Sequence, residues 1–255
     1  MKHLTFNPYL PSWEYIPDGE PHVFDERVYV FGSHDAPNGK AYCEGDYVCW
    51  SAPVNDLGDW RYEGVIYRRR DDPDNSDGTK ALFAPDVCQG TDGKYYLYYG
   101  LNSVGAVSVA VCDKPAGHYR FIGNVKLPDG RKLTGKEGFG IPFDPAVYRE
   151  DDSIWLYYGF GKTFVPGRDD PKGAFVARLK EDMVTMSEEP KLICPGAILA
   201  QGTPWEAHPF LEASSMRKLD GRYYFIYSSV QGHELCYGIS SRPDEPPCFG
   251  GVIIS

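Results

Sequence analysis

Four times along the chain an acidic turn is followed by an apolar run rich in aromatics: "DERVYVFGS" (25–33), "DGKYYLYYG" (92–100), "DDSIWLYYG" (151–159) and "DGRYYFIYSS" (220–229). The copies lie about 60 to 70 residues apart, a little longer than the usual propeller-blade period. Each run has the length and residue types of a strand, and the acidic turn before it reads as the bend of a hairpin. A shorter strand precedes each turn: "PDGEPHVF", "APDVCQGT", "FDPAVYRE" and "LEASSMRKL". A third follows each run ("YVCWSAP", "VSVAVCD", "GAFVARL", "LCYGISS"), and a fourth comes after a polar turn, as in "DWRYEGVIY" and "HYRFIGNV". Four antiparallel strands in this order make one blade. Four blades about an axis make an all-β propeller, which residues 1–255 are expected to form as a single domain.

Composition supports this and removes other classes. Aromatics are 15% of the chain, with 19 Tyr, 28 Gly and 21 Pro, a supply suited to short strands and tight turns. The net charge of −10 argues against a nucleic-acid partner, since phosphate binding needs a basic face. The mixed-sign "YRRRDD" (67–72) reads as a solvated loop. Seven cysteines are scattered with no CxxC pair, so no zinc site is expected. No run is long enough to span a membrane, no apolar segment opens the chain and no Asn-x-Ser/Thr sequon occurs. The expectation is a reduced, cytoplasmic protein.

Each upstream strand carries an acid at nearly the same offset from its hairpin: Asp18, Asp86, Asp144 and Glu212. The first strand of a propeller blade is innermost, so equivalent positions converge at one mouth of the central channel. Carboxylates gathered there repel one another, which disfavours ionisation of at least one. The hairpin acids Asp25, Asp92, Asp152 and Asp220 are read as turn formers. A ring of acids suits two chemistries, coordination of a hard cation such as calcium and glycoside hydrolysis by a carboxylic acid and a carboxylate. Aromatics near the motifs (Trp13, Tyr15, Phe83, Phe143, Trp205, Phe210) are either core or platforms for sugar rings.

Taken together, "YIPDGEPHVF", "FAPDV", "FDPAVYRED" and "PFLEASSMRKLDGRYYFIYSS" resemble the five-bladed propeller enzymes of glycoside hydrolase family 43, across essentially the whole chain. The resemblance implies an inverting glycosidase that removes terminal α-L-arabinofuranosyl or β-D-xylosyl units from oligosaccharides. It implies Asp18 as general base, Glu212 as general acid and Asp144 as the group that tunes and orients the acid. Asp86 and Phe83 are then sugar-binding, with Trp205, Glu206 and His208 on the pocket rim and Glu206 as the rival acid. No cofactor is required, and calcium in the central channel is the metal the resemblance allows. The chain departs from the family in showing four blades, with no Arg or His matching those that relatives draw from a fifth. It therefore reads as C-terminally incomplete, as closed by a second chain or another copy, or as a four-bladed variant. An open ring favours oligomers through unpaired edges. The alternative reading is a sugar-binding or interaction propeller with impaired catalysis. The long segment "SHDAPNGKAYCEGD" (33–46) is expected to wall off one side of the pocket.

Overall fold

A computed structural model describes residues 7–102, 105–162 and 171–255. It contains four four-stranded antiparallel sheets, each running in chain order from the axis outward. Blade I is β1 (Glu20–Phe24), β2 (Arg27–Phe31), β3 (Tyr47–Pro53) and β4 (Arg61–Tyr67). Blade II is β5 (Asp86–Gln89), β6 (Tyr95–Gly100), β7 (Val107–Cys112) and β8 (Arg120–Asn124). Blade III is β9 (Ala146–Glu150), β10 (Ser153–Phe160), β11 (Gly173–Arg178) and β12 (Lys191–Pro195). Blade IV is β13 (Phe210–Leu219), β14 (Arg222–Ser229), β15 (Leu235–Ser240) and β16 (Cys248–Ile254). The expected all-β propeller of four blades is what forms. No helix is long and apolar enough to cross a membrane, and all seven cysteines are free.

The hairpins bend where the acidic turns stand. Asp25, Glu26, Asp151 and Asp220 take positive φ, which short polar side chains tolerate better than most. Buried apolar clusters fill the spaces between neighbouring blades: Phe31, Tyr47, Leu97 and Tyr99 between I and II, Tyr98, Val109, Leu156 and Phe175 between II and III, and Tyr157, Val176, Phe225 and Tyr227 between III and IV. The tyrosines of the repeat are therefore mainly core, and each buried hydroxyl has a partner, as burial demands. Tyr98 donates to Met183 O (2.7 Å), Tyr157 to Pro243 O (2.7 Å) and Tyr99 to Asp72 Oδ2 (2.5 Å). This last bond corrects the reading of "YRRRDD" as a solvated loop. Arg68 and Asp71 are exposed, but Tyr67 and Asp72 are buried, because the Tyr99 hydroxyl needs an acceptor.

Close approach of backbones joins blades III and IV. A Cβ on Gly161 would lie 1.7 Å from Phe210 O, so only glycine fits there. Blades I and IV meet differently. Arg217 and Ser215 of β13 both donate to the Glu20 carboxylate of β1, and Arg217 also donates to Pro21 O (3.1 Å).

Candidate active site

The inner strands deliver their acids to one axial cavity of about 390 Å³, lined by Asp18, Asp86 and Asp144 together with Ala213 and Ser214 beside Glu212. The three acids differ in setting. Asp18 sits on the exposed turn before β1, held by the hydroxyl of the fully buried Ser33 at the end of β2, which donates to Asp18 Oδ2. Gly32 lets that turn lie against β2, since a Cβ there would stand 3.1 Å from Asp18 O and 3.0 Å from Gly19 Cα.

Asp144 is buried, unlike the exposed Asp18. Its backbone is left-handed (φ 43°), a strained conformation for a non-glycine residue that is common at functional sites. Its carboxyl is pushed well above the ordinary range, first by burial, then by the charges of Glu212 and Asp18; an N–H from Ala213 opposes this. Glu212 lies where β13 loses register with β14 on both sides of it, and Ala213 takes φ 60°. Such a bulge re-aims a side chain. Burial is again the main cause that raises the Glu212 carboxyl; the His233 imidazole, 3.6 Å away, opposes it and Asp18 adds to it. Asp144 was expected to push up the acid. The repulsion instead falls mainly on Asp144, the more deeply buried of the two, and pushes its carboxyl further toward the neutral form. Ser214, which lines this cavity, has its Oγ buried with no protein partner.

Asp86 is already engaged by the protein. It accepts from Val87 N (2.7 Å), Val147 N (2.7 Å) and His22 Nε2 (2.5 Å), tying blades I, II and III at the axis. Phe83 is half-buried, with its ring edge-on to Phe143 at 5.4 Å. Trp205 is in the core between blades III and IV, against Tyr227 and Phe249, because its loop folds inward. Glu206 is exposed and accepts from Gly202 N (3.1 Å) within the same loop. His208 stacks on Phe249 and pairs with Glu234 at 2.7 Å. The structure thus brings Asp18, Asp144 and Glu212 together and places Trp205, Glu206 and His208 outside the cavity lining. Ser33, Cys43 and His233, all of which touch or face the three acids, were missed. Ser33 closes the first copy of the repeat but has no acid of its own, and Cys43 and His233 lie beyond the repeat strands, so the periodicity of the acids gives no signal for them.

For a metal, the described inner strands offer Glu20, His22 and Asp86, whose donor atoms lie within 4.8 Å of one another. These residues do not fit calcium, which takes six to eight oxygens. Asp86 already accepts three hydrogen bonds, and the guanidinium of Arg217 already occupies Glu20.

The comparisons agree with this geometry. The sequence profile described as "Glycosyl hydrolases family 43" matches residues 23–244. A xylosidase/arabinosidase of Thermoclostridium stercorarium is 55% identical over all of this chain, which covers 53% of that protein. One from Bacteroides ovatus is 31% identical over 97% of this chain and 80% of its own length. Among solved structures, the GH43_1 enzyme of Xanthomonas citri complexed with xylotriose superposes with a TM-score of 0.76 at 26% identity, covering 96% of this chain and 75% of that one. A β-xylosidase/α-arabinofuranosidase from a compost metagenome, in a calcium-free form with xylotriose, gives 0.72 at 26% identity over 94% and 78%. The chain spans about half the length of the first of these relatives. With its profile matched over most of its length, the chain belongs to glycosyl hydrolases family 43.

Proposed function

We propose that this chain carries the catalytic centre of an inverting glycosidase that releases a terminal α-L-arabinofuranosyl or β-D-xylosyl unit from an oligosaccharide. The observation that carries the reading is the gathering of Asp18, Asp144 and Glu212 at one mouth of the axial channel, with two of the three held toward their protonated forms. Hydrolysis with inversion needs a carboxylic acid to protonate the leaving oxygen and a carboxylate to activate water on the other face. Glu212, raised by burial, supplies the proton. Asp18, exposed and fixed by Ser33, takes one from water. Asp144 is already neutral as the proton donor works, so it adds no repulsion when Glu212 becomes charged. The carboxylate, serine and guanidinium groups of the lining suit the hydroxyls of a small polyol. Inversion calls for a separation of about 6.5–9.5 Å between base and acid.

The test is hydrolysis of aryl arabinofuranosides and aryl xylosides, with the anomer released followed by NMR. Turnover that gives the inverted sugar and disappears in Glu212→Gln is expected. Equal rates in wild type and variant, or none in either, favour a sugar-binding propeller instead.

A further inference from the structure

The segment between β2 and β3 borders a cavity of its own. Residues 33–46 are pinned to the strand of chain before β1: Asp35 N donates to Tyr15 O (3.0 Å), and His34 Nε2 pairs with Glu14 Oε1 (2.8 Å). The segment is also braced within itself, Cys43 N donating to Asp35 Oδ1 (2.6 Å), Gly45 N to His34 O (2.7 Å) and Lys40 N to Glu44 Oε2 (2.9 Å). Between its tip and Tyr15 lies an open cleft of about 470 Å³, within the size range of small-molecule sites.

Two aromatic rings border this cavity. Tyr42 is 83% exposed and Tyr15 48%. Among the described residues Tyr42 has no ring or hydrogen-bond partner, although the backbone beside it is tied down at Cys43. A bare ring on a braced loop is a preformed platform, with little ordering cost on binding. Asn38 and Lys40 add polar groups around it. Cys43, next to Tyr42 in sequence, ties this segment toward the axial site, its N–H held by Asp35. Cys43 is buried, and its thiol is pushed up to about 11, chiefly by burial; Ser33 opposes the shift, and Asp18, Asp35 and Asp144 all add to it. One side chain therefore borders the carboxylates of both cavities.

The geometry points to this second cavity as a sugar subsite, in which Tyr42 and Tyr15 hold the unit of the oligosaccharide next to the one placed over Asp18. A pentose ring presents C–H faces to aromatic rings and hydroxyls to their polar neighbours, which matches this lining. The inference rests on the glycosidase reading and extends it to chain-length preference.

The experiment compares kcat/KM on xylotriose and arabinotriose with kcat/KM on the corresponding pentosyl fluorides, whose leaving group reaches no neighbouring subsite. Loss of one stacking contact of about 0.5–1.5 kcal/mol corresponds to roughly two- to twelvefold. Tyr42→Ala is expected to lower kcat/KM on the trisaccharide by about that factor and leave the fluoride within twofold, while Tyr42→Phe restores the trisaccharide rate. An equal fall on both substrates, or no change on either, overturns the subsite. If wild type cleaves neither substrate, the glycosidase reading fails, and calorimetric binding of the same trisaccharides decides the subsite alone. Weaker binding in Tyr42→Ala than in Tyr42→Phe then supports it; equal binding in the two variants, or no binding by wild type, overturns it.

Discussion

The backbone N–H of Ala213 donates to Asp144 Oδ2 at 3.3 Å, joining the residue after Glu212 to the buried Asp144 carboxyl. Both ends of this bond are left-handed, φ 60° at Ala213 and 43° at Asp144. The fold holds two unfavourable backbone conformations so that the two carboxyls stay near one another, and the strain is located where a proton has to be controlled.

Replacing Asp144 by Asn separates stability from activity. A carboxyl whose pKa is raised on folding keeps its proton in the native state while the unfolded chain loses it. Native stability therefore falls as pH climbs from the unfolded value, near 3.9, toward the raised folded value. Asp144→Asn keeps the acceptor for Ala213 and removes this loss. The variant is expected to melt about 2–4 °C higher than wild type at pH 7 and about equally at pH 3.5, while hydrolysis drops. Thermal melts across pH 3.5–8 check it; a gap that narrows as pH rises contradicts the assignment.

Glu212→Gln is expected to reduce turnover of aryl pentosides by about 10²–10⁴. The melting temperature should move little, because the group is only partly buried and its amide is similar in shape. Pentosyl fluorides need less help from an acid and should lose far less. Parallel losses on the two substrates would show that Glu212 does not donate the proton.

His233 faces Glu212 from the β14–β15 hairpin at 3.6 Å, and a protonated imidazole favours the charged form of the acid. Removing it by His233→Gln therefore moves the alkaline limb of the pH–rate profile upward. The side chain is two-thirds exposed, so screening keeps the shift to a few tenths of a pH unit, smaller still in ~1 M salt. A downward move would mean that the two groups interact in some other way.

Asp86 gives the opposite contrast. Asp86→Ala strands Val87 N, Val147 N and the His22 ring in a buried place, and breaking such a set costs about 3–5 kcal/mol. A fall of about 10 °C in melting temperature is expected. If Asp86 were a sugar contact, KM would rise with stability intact.

Ser33→Ala removes the hydroxyl that donates to Asp18. With the base free to swing, kcat is expected to fall by about ten- to a hundredfold at nearly constant KM. Ser33→Thr, which keeps a donor, should recover part of it.

Much of this was legible in the chain itself. The repeat of acidic turn and aromatic strand places all four blades, and its phase places Asp18, Asp144 and Glu212 together. The same phase puts Asp86 in the cavity but says nothing about its partners, because hydrogen bonds to Val147 N and His22 come from other blades. Trp205, Glu206 and His208 were assigned to the rim by nearness in sequence to Glu212; their loop turns away from the axis to cover Phe249. Tyr42 carries no sequence signal at all. Among 19 tyrosines, most of them core, only coordinates distinguish the one left bare.

The handclasp of Arg217 and Ser215 on Glu20 sets the first and last blades apart from the other neighbours. Among the described residues, each of the other blade pairs is cemented by an apolar cluster, whereas this seam is closed by ionic and polar contacts at the hub. Oil-filled joints stiffen a wheel and ignore salt; a charged clasp slackens as ionic strength climbs. The bore of the hub, and with it the reach between Asp18 on the first blade and Glu212 on the last, is thereby governed by the least rigid spoke gap, which makes dissolved ions a lever on the width of the catalytic mouth.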